Sequence, residues 1–295
     1  MLRTLTLLTL LALSPLASAL NVVATTTNMA MLSAAVGGDD VSVTVLAPPD
    51  RDTHYLELRP NMMVSLRRAD LLVSVGAELE VGWLPPAIQG TGNRRLNPGQ
   101  RGYFEAAAQV ELIDQVPDAD RSMGDVHPMG NPHVYMDPLR MAQVGHALAA
   151  RMGQIAPEHA DRFSANAQAF AERMDRLVAR MTEQLRASTD APPGVLLYHK
   201  DADYLMRLLE VPVLGYLEPV PGVPPTGRHL NALVSELKGR EGVMIANPWQ
   251  SRRGPDFIGR ELGFPVHVLP TNVPVDGDVA DYEALLMQWV KAAAP

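Results

Sequence analysis

Cysteine is absent from this chain of 295 residues. The absence excludes disulfide bonds, thiolate metal sites and cysteine nucleophiles, and it leaves histidine, carboxylate and carbonyl groups as the available metal ligands. Aromatic residues make up only 5% of the chain, so few rings are present to line a wide cleft for an organic ligand. The 33 acidic residues outnumber the 25 lysines and arginines, and the net charge of −8 argues against a surface that binds nucleic acid.

Long apolar runs are also missing, apart from one at the N-terminus. Residues 1–19 combine a positive charge at Arg3, an apolar stretch over 5–13 and small side chains at 17–19. This order is typical of a cleaved signal peptide, and no later segment has about 18 consecutive apolar residues with which to span a membrane. We therefore expect export to the periplasm and, since there is no lipobox cysteine, a protein that is not tethered there.

Predicted strands and helices alternate on both sides of a long helical region. The patterns predict an N-terminal lobe (20–138) and a C-terminal lobe (189–295), separated by a helical region (139–188). In that region one apolar stripe recurs every three or four residues: Phe163, Ala167, Phe170, Met174, Leu177, Met181 and Leu185. The predicted fold is α/β, with two lobes of parallel sheet flanked by helices and joined by one long backbone helix. A coiled-coil dimer is the alternative for this helix, but we expect a monomer.

The histidines are the candidate metal ligands, and there are eight: His54, His127, His133, His146, His159, His199, His229 and His267. Three of them, His54, His133 and His199, lie in loops after predicted strands or between the lobes, where α/β sheets bind their ligands. Neutral imidazole is a favourable ligand for Zn²⁺. Each of the three alone is explained equally well as a hydrogen-bonded or surface histidine, so it is their joint pattern that predicts a metal site. The role of His127, six residues before His133, is left open.

Four segments resemble one known family: DTHYLELRP, RRADLLVSVGAELEVGWLPPAI, GDVHPMGNPHVYMDP and YHKDADYL. They are similar, in the same order, to segments of the metal-binding proteins of ABC transporters for zinc and manganese, the TroA/ZnuA-like cluster A-I group. The resemblance covers essentially the whole chain after residue 19. It implies two α/β lobes joined by a rigid helix, a metal ion between the lobes, and delivery of that ion to a permease in the membrane.

The resemblance also implies a set of ligands. The three histidine ligands of the family carry over onto His54, His133 and His199. Three histidines favour Zn²⁺, whereas relatives that prefer Mn²⁺ replace one histidine with a carboxylate, because oxygen-rich sites suit Mn²⁺ better. We therefore expect one divalent ion per chain, with Zn²⁺ preferred and Mn²⁺ as the alternative.

The fourth ligand is less clearly indicated. Many family members use an aspartate in a loop near the C-terminus, for which Asp276 and Asp278 are the candidates here; Glu218 is a third candidate, and water is another. The sequence departs from the family at Thr53, where relatives usually have proline, and at Asn247, where they often have glutamate. The His-rich acidic loop of some zinc-binding members is absent.

Three histidines with an open fourth position also form catalytic zinc sites, so an exported zinc hydrolase or lyase is the main alternative. The sequence has neither an HExxH motif nor a Gly-x-Ser-x-Gly elbow. We therefore expect a carrier that is not an enzyme. A binding protein for a siderophore-type ligand is a further alternative, although it requires a wider cleft lined by arginine or aromatic groups.

Overall fold

The computed structural model describes residues 19–119, 123–188 and 192–294. The predicted signal peptide, except for its last residue, lies outside the described residues. Within these ranges, no helix combines the length and the apolar character needed to cross a bilayer. The chain forms two lobes, and each is built on a parallel four-stranded sheet.

The N-terminal sheet has the strand order β2-β1-β3-β4. Its strands are β1 (Leu20–Ala24), β2 (Val41–Val45), β3 (Leu71–Ser74) and β4 (Tyr103–Glu105). The helices of this lobe are α1 (Thr27–Gly37), α2 (Pro60–Arg68) and α3 (Leu84–Thr91). Every residue of β3 is buried, as expected for a parallel strand that is covered by helices on both faces.

The C-terminal sheet repeats this arrangement with the order β6-β5-β7-β8. Its strands are β5 (Val195–Leu197), β6 (Val213–Tyr216), β7 (Val243–Ala246) and β8 (Val266–Val268). Its helices are α6 (Asp203–Leu208), α7 (Gly227–Leu237) and α8 (Arg253–Leu262). In both sheets the direction of strand progression reverses beside the first strand, and such a switch point is where open α/β sheets bind ligands.

Three further helices connect the lobes: α4 (Pro138–Ile155), the 29-residue α5 (Ala160–Ser188) and α9 (Val279–Ala293). The buried residues of α5 are the seven members of the predicted stripe, so the prediction of one long helix is confirmed. Helix α5 packs against α4, α1 and α9. The division into domains at residues 138 and 188 stays a prediction.

The largest hydrophobic core runs through both lobes. It contains Val73 of β3 and Val243 of β7, and it joins them through Met174 of α5 and Trp289 of α9. Each lobe also has a smaller core on the other face of its sheet. The fold class predicted from the sequence is confirmed, and the two lobes are parts of one packed body that holds the loops between them in place.

Candidate metal centre

His54 is held by a short helical turn in the N-terminal lobe. The turn spans Thr53–Tyr55, and the Asp52 side chain caps it by accepting a hydrogen bond from the backbone N–H of His54, at 3.0 Å. The indole N–H of Trp83, in the smaller core of this lobe, donates to the Thr53 carbonyl at 2.8 Å. The loop is therefore fixed on both sides.

His133 and His199 lie at comparable positions next to regular elements. The backbone N–H of His133 donates to Asn131 Oδ1 at 2.9 Å, and a short turn (Val134–Met136) and α4 follow. His199 comes two residues after β5 and directly before a turn at Lys200–Ala202. It therefore lies at the carboxyl end of a central parallel strand, as the sequence predicts.

The structure brings these three imidazoles together. Each offers one ring nitrogen, and these atoms all lie within 4.8 Å of one another. The Nε2 atoms of His133 and His199 are 3.3 Å apart. His54 and His133 are buried, and the side chain of His199 is only 9% exposed. Three nitrogen donors that face one point, largely away from water, are the donor set of a Zn²⁺ site.

Each ring is also oriented through its other nitrogen, Nδ1. Asp52 Oδ1 lies 2.7 Å from Nδ1 of His54, the Tyr135 hydroxyl lies 2.7 Å from that of His133, and Glu218 Oε2 lies 2.7 Å from that of His199. Such partners fix the ring and its tautomer, so that Nε2 is the nitrogen available to a metal. Glu218 thus supports the ring of His199 through Nδ1, and its place as the fourth ligand stays a prediction.

The environment sets the protonation of the rings. Burial, reinforced by the neighbouring histidines, lowers the pKa of His133 well below 6.5. Burial also disfavours the charged form of His199, but the carboxylates of Asp201 and Glu218 outweigh it and raise the pKa of this ring to about 9. One proton is therefore held at His199 where a cation is absent.

Asp276 and Asp278, two of the expected candidates for the fourth ligand, are not in the group of donors formed by His54, His133 and His199. Asp278 caps α9 by accepting hydrogen bonds from the N–H groups of Ala280 and Asp281, and Asp276 lines a separate cavity beside α1. The reason lies in how α1 holds this loop. The side chains of Thr27 and Asn28 donate to backbone carbonyls of Val273 and Thr271, at 2.7 and 2.8 Å.

Asp201 is a carboxylate beside the histidines that was not among the predicted ligands. Its Oδ1 lies 3.7 Å from His199 Nε2, its side chain also bonds the amide of Asn247, and it lines the same cavity as the three histidines. Burial raises the pKa of Asp201 to about 6. Its position two residues after His199, in the turn that follows β5, is the sequence feature that could have indicated it.

The remaining histidines separate into two groups. His127 is buried beside the site, with its Nε2 3.3 Å from that of His54. His146 is exposed on α4, whereas His159 contacts Asp40 and Arg162, and His229 contacts the Tyr216 carbonyl. These three, like His267 in β8, are not part of the cluster of His54, His133 and His199.

The cavity shared by the three histidines has a volume of about 50 Å³, and a second cavity of about 180 Å³ touches His133 and His199. Pockets for organic ligands usually measure roughly 300 Å³ or more. The space beside the histidines therefore suits an ion better than a siderophore-type ligand.

Comparison with known proteins agrees with this arrangement. The family described as "ZnuA: Zinc-uptake complex component A periplasmic" matches residues 22–294. The chain is 22% identical to the high-affinity zinc uptake system protein ZnuA of Yersinia pestis over 74% of its length and 71% of that protein. It is 20% identical to the metal ABC transporter substrate-binding lipoprotein SloC of Streptococcus mutans over 92% of its length and 87% of that protein.

A solved structure supports the fold. The SBP FpvC from Pseudomonas aeruginosa, in complex with Mn²⁺, superposes with a TM-score of 0.78 at 23% identity, and the match covers 93% of this chain and 97% of that one. Because proteins of this type bind substrates for ABC transporters, the expectation that the chain is not an enzyme is confirmed. The chain belongs to the ZnuA family of periplasmic zinc-uptake components, and it is a metal-binding substrate-binding protein of an ABC transporter.

Proposed function

We propose that this protein captures Zn²⁺ with high affinity in the periplasm, through His54, His133 and His199, and delivers it to an ABC permease. The observation that carries the proposal is the convergence of three ring nitrogens, each with its second nitrogen held by a partner. All three donors are nitrogens, and imidazole suits Zn²⁺ better than Mn²⁺, which prefers oxygen. Asp201 is the nearest carboxylate to His199 Nε2 among the described contacts and is the oxygen candidate for the fourth position.

The site also supports release of the cargo. His54 and His133 belong to the predicted N-terminal lobe and His199 to the C-terminal lobe. A small displacement of one of the loops that carry them moves at least one nitrogen beyond bonding distance of the ion, because Zn–N bonds require about 2.0–2.1 Å. The three ligands thus allow tight capture, and transfer when the permease shifts one of these loops.

The test is metal analysis of protein purified without added metal, followed by chelator-competition titration with Zn²⁺ and Mn²⁺. We expect about one Zn²⁺ per chain and weaker binding of Mn²⁺. His133→Ala should lower the affinity for Zn²⁺ by more than about 100-fold, since even loss of a group that only supports a ligand costs about 10- to 100-fold. The matched control is His146→Ala, whose side chain is exposed on α4. Equal affinities for the two variants would exclude the site, and tighter binding of Mn²⁺ would exclude the assignment to zinc.

A further inference from the structure

His127 is the one buried histidine beside the site to which no role has been assigned above. Its side chain is 8% exposed, and its Nε2 lies 3.3 Å from Nε2 of His54. The two rings are tilted by 33° with their centroids 5.4 Å apart, so they meet at their nitrogen-bearing edges and do not stack. His127 also lines a cavity together with His133 and His199. This placement puts a fourth imidazole at the edge of the cluster, in contact with His54.

The distances between ring nitrogens match those of ligands on one ion. Two nitrogens bound to the same tetrahedral Zn²⁺, each at about 2.0–2.1 Å, lie about 3.3–3.4 Å apart. The pair His54–His127 has a separation of 3.3 Å, and so does the pair His133–His199. Each pair therefore has the spacing of two ligands on one ion. His127 lies outside the group whose nitrogens are all within 4.8 Å of one another, so it completes a tetrahedron when its ring moves toward His133 and His199.

The hydrogen bonding of His54 explains why a cation fits between its ring and that of His127. Its Nδ1 lies 2.7 Å from Asp52, and a carboxylate accepts a proton from the ring in a hydrogen bond. Nε2 of His54 then carries a lone pair that points at Nε2 of His127. At 3.3 Å the two nitrogens are held together either by one shared proton or by one shared cation, and a bound Zn²⁺ replaces that proton.

The segment that carries His127 connects the two lobes across the cleft. The backbone N–H of Asp125 donates to the Pro221 carbonyl of the C-terminal lobe at 2.8 Å, and the Asp125 carboxylate accepts from the hydroxyl of Tyr55, next to His54, at 2.7 and 2.8 Å. Further along, the side-chain amide of Asn131 donates to the Lys200 carbonyl at 2.9 Å. A ligand on this segment couples binding of the ion to closure of the cleft.

We infer that His127 is the fourth metal ligand, which completes a site of four imidazoles. The inference rests on the function proposed above and makes it more specific. A four-nitrogen site excludes oxygen donors from direct coordination, so it selects Zn²⁺ over Mn²⁺ more strongly than three histidines with a carboxylate do. Asp201, with one oxygen bonded to Asn247, then acts on His199 from outside the coordination sphere.

The experiment compares His127→Asn with Asp201→Asn in the full mature chain loaded with Zn²⁺. X-ray absorption at the zinc edge counts the imidazoles, and chelator competition gives the affinity. We expect four imidazoles in the wild type and in Asp201→Asn, and three in His127→Asn. The affinity of His127→Asn for Zn²⁺ should fall by more than about tenfold, and its preference for Zn²⁺ over Mn²⁺ should narrow. Circular dichroism and the thermal midpoint of the zinc-free variants, unchanged from the wild type, verify the fold.

Three imidazoles in the wild type, with an unchanged count in His127→Asn, would overturn the inference. So would an oxygen neighbour that is lost in Asp201→Asn, because Asp201 is then the fourth ligand. Either result leaves the proposed function intact as long as His133→Ala still abolishes tight binding. If His133→Ala also binds zinc normally, the proposed function itself fails, so the two failures are distinguishable.

Discussion

At the scale of the residue, the centre depends on which nitrogen of each ring is engaged. Asp52 and Glu218 place a carboxylate 2.7 Å from Nδ1 of His54 and His199, and Tyr135 places a hydroxyl at the same distance from that of His133. Beside Asp201 and Glu218 the pKa of His199 is raised, whereas burial lowers the pKa of His133. These two rings therefore differ in their competition with protons.

This difference predicts the pH dependence of metal binding. Because the pKa of His199 is raised to about 9 whereas that of His133 is lowered well below 6.5, below pH 9 the metal must displace a proton from His199. The apparent affinity for Zn²⁺ should fall about tenfold per pH unit between pH 8 and 6 from this ring alone. Calorimetry in buffers of different ionisation enthalpy measures the released protons. The Glu218→Gln variant lacks one cause of the raised pKa, so fewer protons should be released when it binds Zn²⁺. An affinity for Zn²⁺ that is flat from pH 8 to 6 would contradict the prediction.

The positions of the three histidines were predictable from the sequence because each lies in a recognisable loop, but the donor set around them was not. Asp201 was missed because its approach to His199 depends on the turn at Lys200–Ala202 that follows β5. Asp276 and Asp278 were expected near the metal because many members of the resembled family use an aspartate in a loop near the C-terminus. That loop is held at Val273 by hydrogen bonds to α1, about 245 residues away in sequence, and no local pattern indicates such bonds.

At the scale of the element, strands and helices followed their patterns, and contacts decide how their ends are built. After β5 the chain forms a 3-10 turn at Lys200–Ala202 before α6 begins. The cap of α1 is Thr26, whose hydroxyl accepts from the backbone N–H of Met29. The side chains of Thr27 and Asn28, in the first turn of α1, bond the loop at 271–273.

The segment around Asp125 is the element that crosses the cleft, and its contact with Tyr55 predicts how fast the metal leaves. Tyr55→Phe removes the hydroxyl that donates to the Asp125 carboxylate. Hydrogen bonds to charged groups contribute about 1.5–3 kcal/mol where they are shielded, and less here because Tyr55 is 62% exposed. We expect zinc dissociation, measured by stopped-flow mixing with a chelator, to speed up by roughly three- to tenfold.

The matched control is Tyr103→Phe. The Tyr103 hydroxyl also donates to a carboxylate, Glu105 at 2.9 Å, but this pair lies at β4, away from the histidines. The rate of zinc dissociation should not change in this variant. Equal rates in Tyr55→Phe and the wild type would show that the segment does not control release.

At the scale of the whole molecule, the lobes share one core and are also joined by hydrogen bonds between distant parts of the chain. The hydroxyl of Tyr282 on α9 donates to the carbonyl of Tyr135, next to the His133 turn, at 2.7 Å. Trp289, also on α9, is buried in the core that includes both β3 and β7. The cleft that contains the histidines is therefore built by packing, and the metal adds a further connection between lobes that already form one body.

This arrangement predicts that zinc stabilises the protein as a unit. A ligand that binds only the folded state adds about 4 kcal/mol at a free concentration 1,000 times its dissociation constant. For a chain of this size the gain corresponds to a rise in the thermal midpoint of roughly 10 °C. Because the shared core couples the lobes, scanning calorimetry should show one transition that moves as a whole. In His199→Ala, which removes the ligand of the C-terminal lobe, the same zinc concentration should raise the midpoint much less. Two transitions of which only one responds to zinc would mean that the lobes unfold independently.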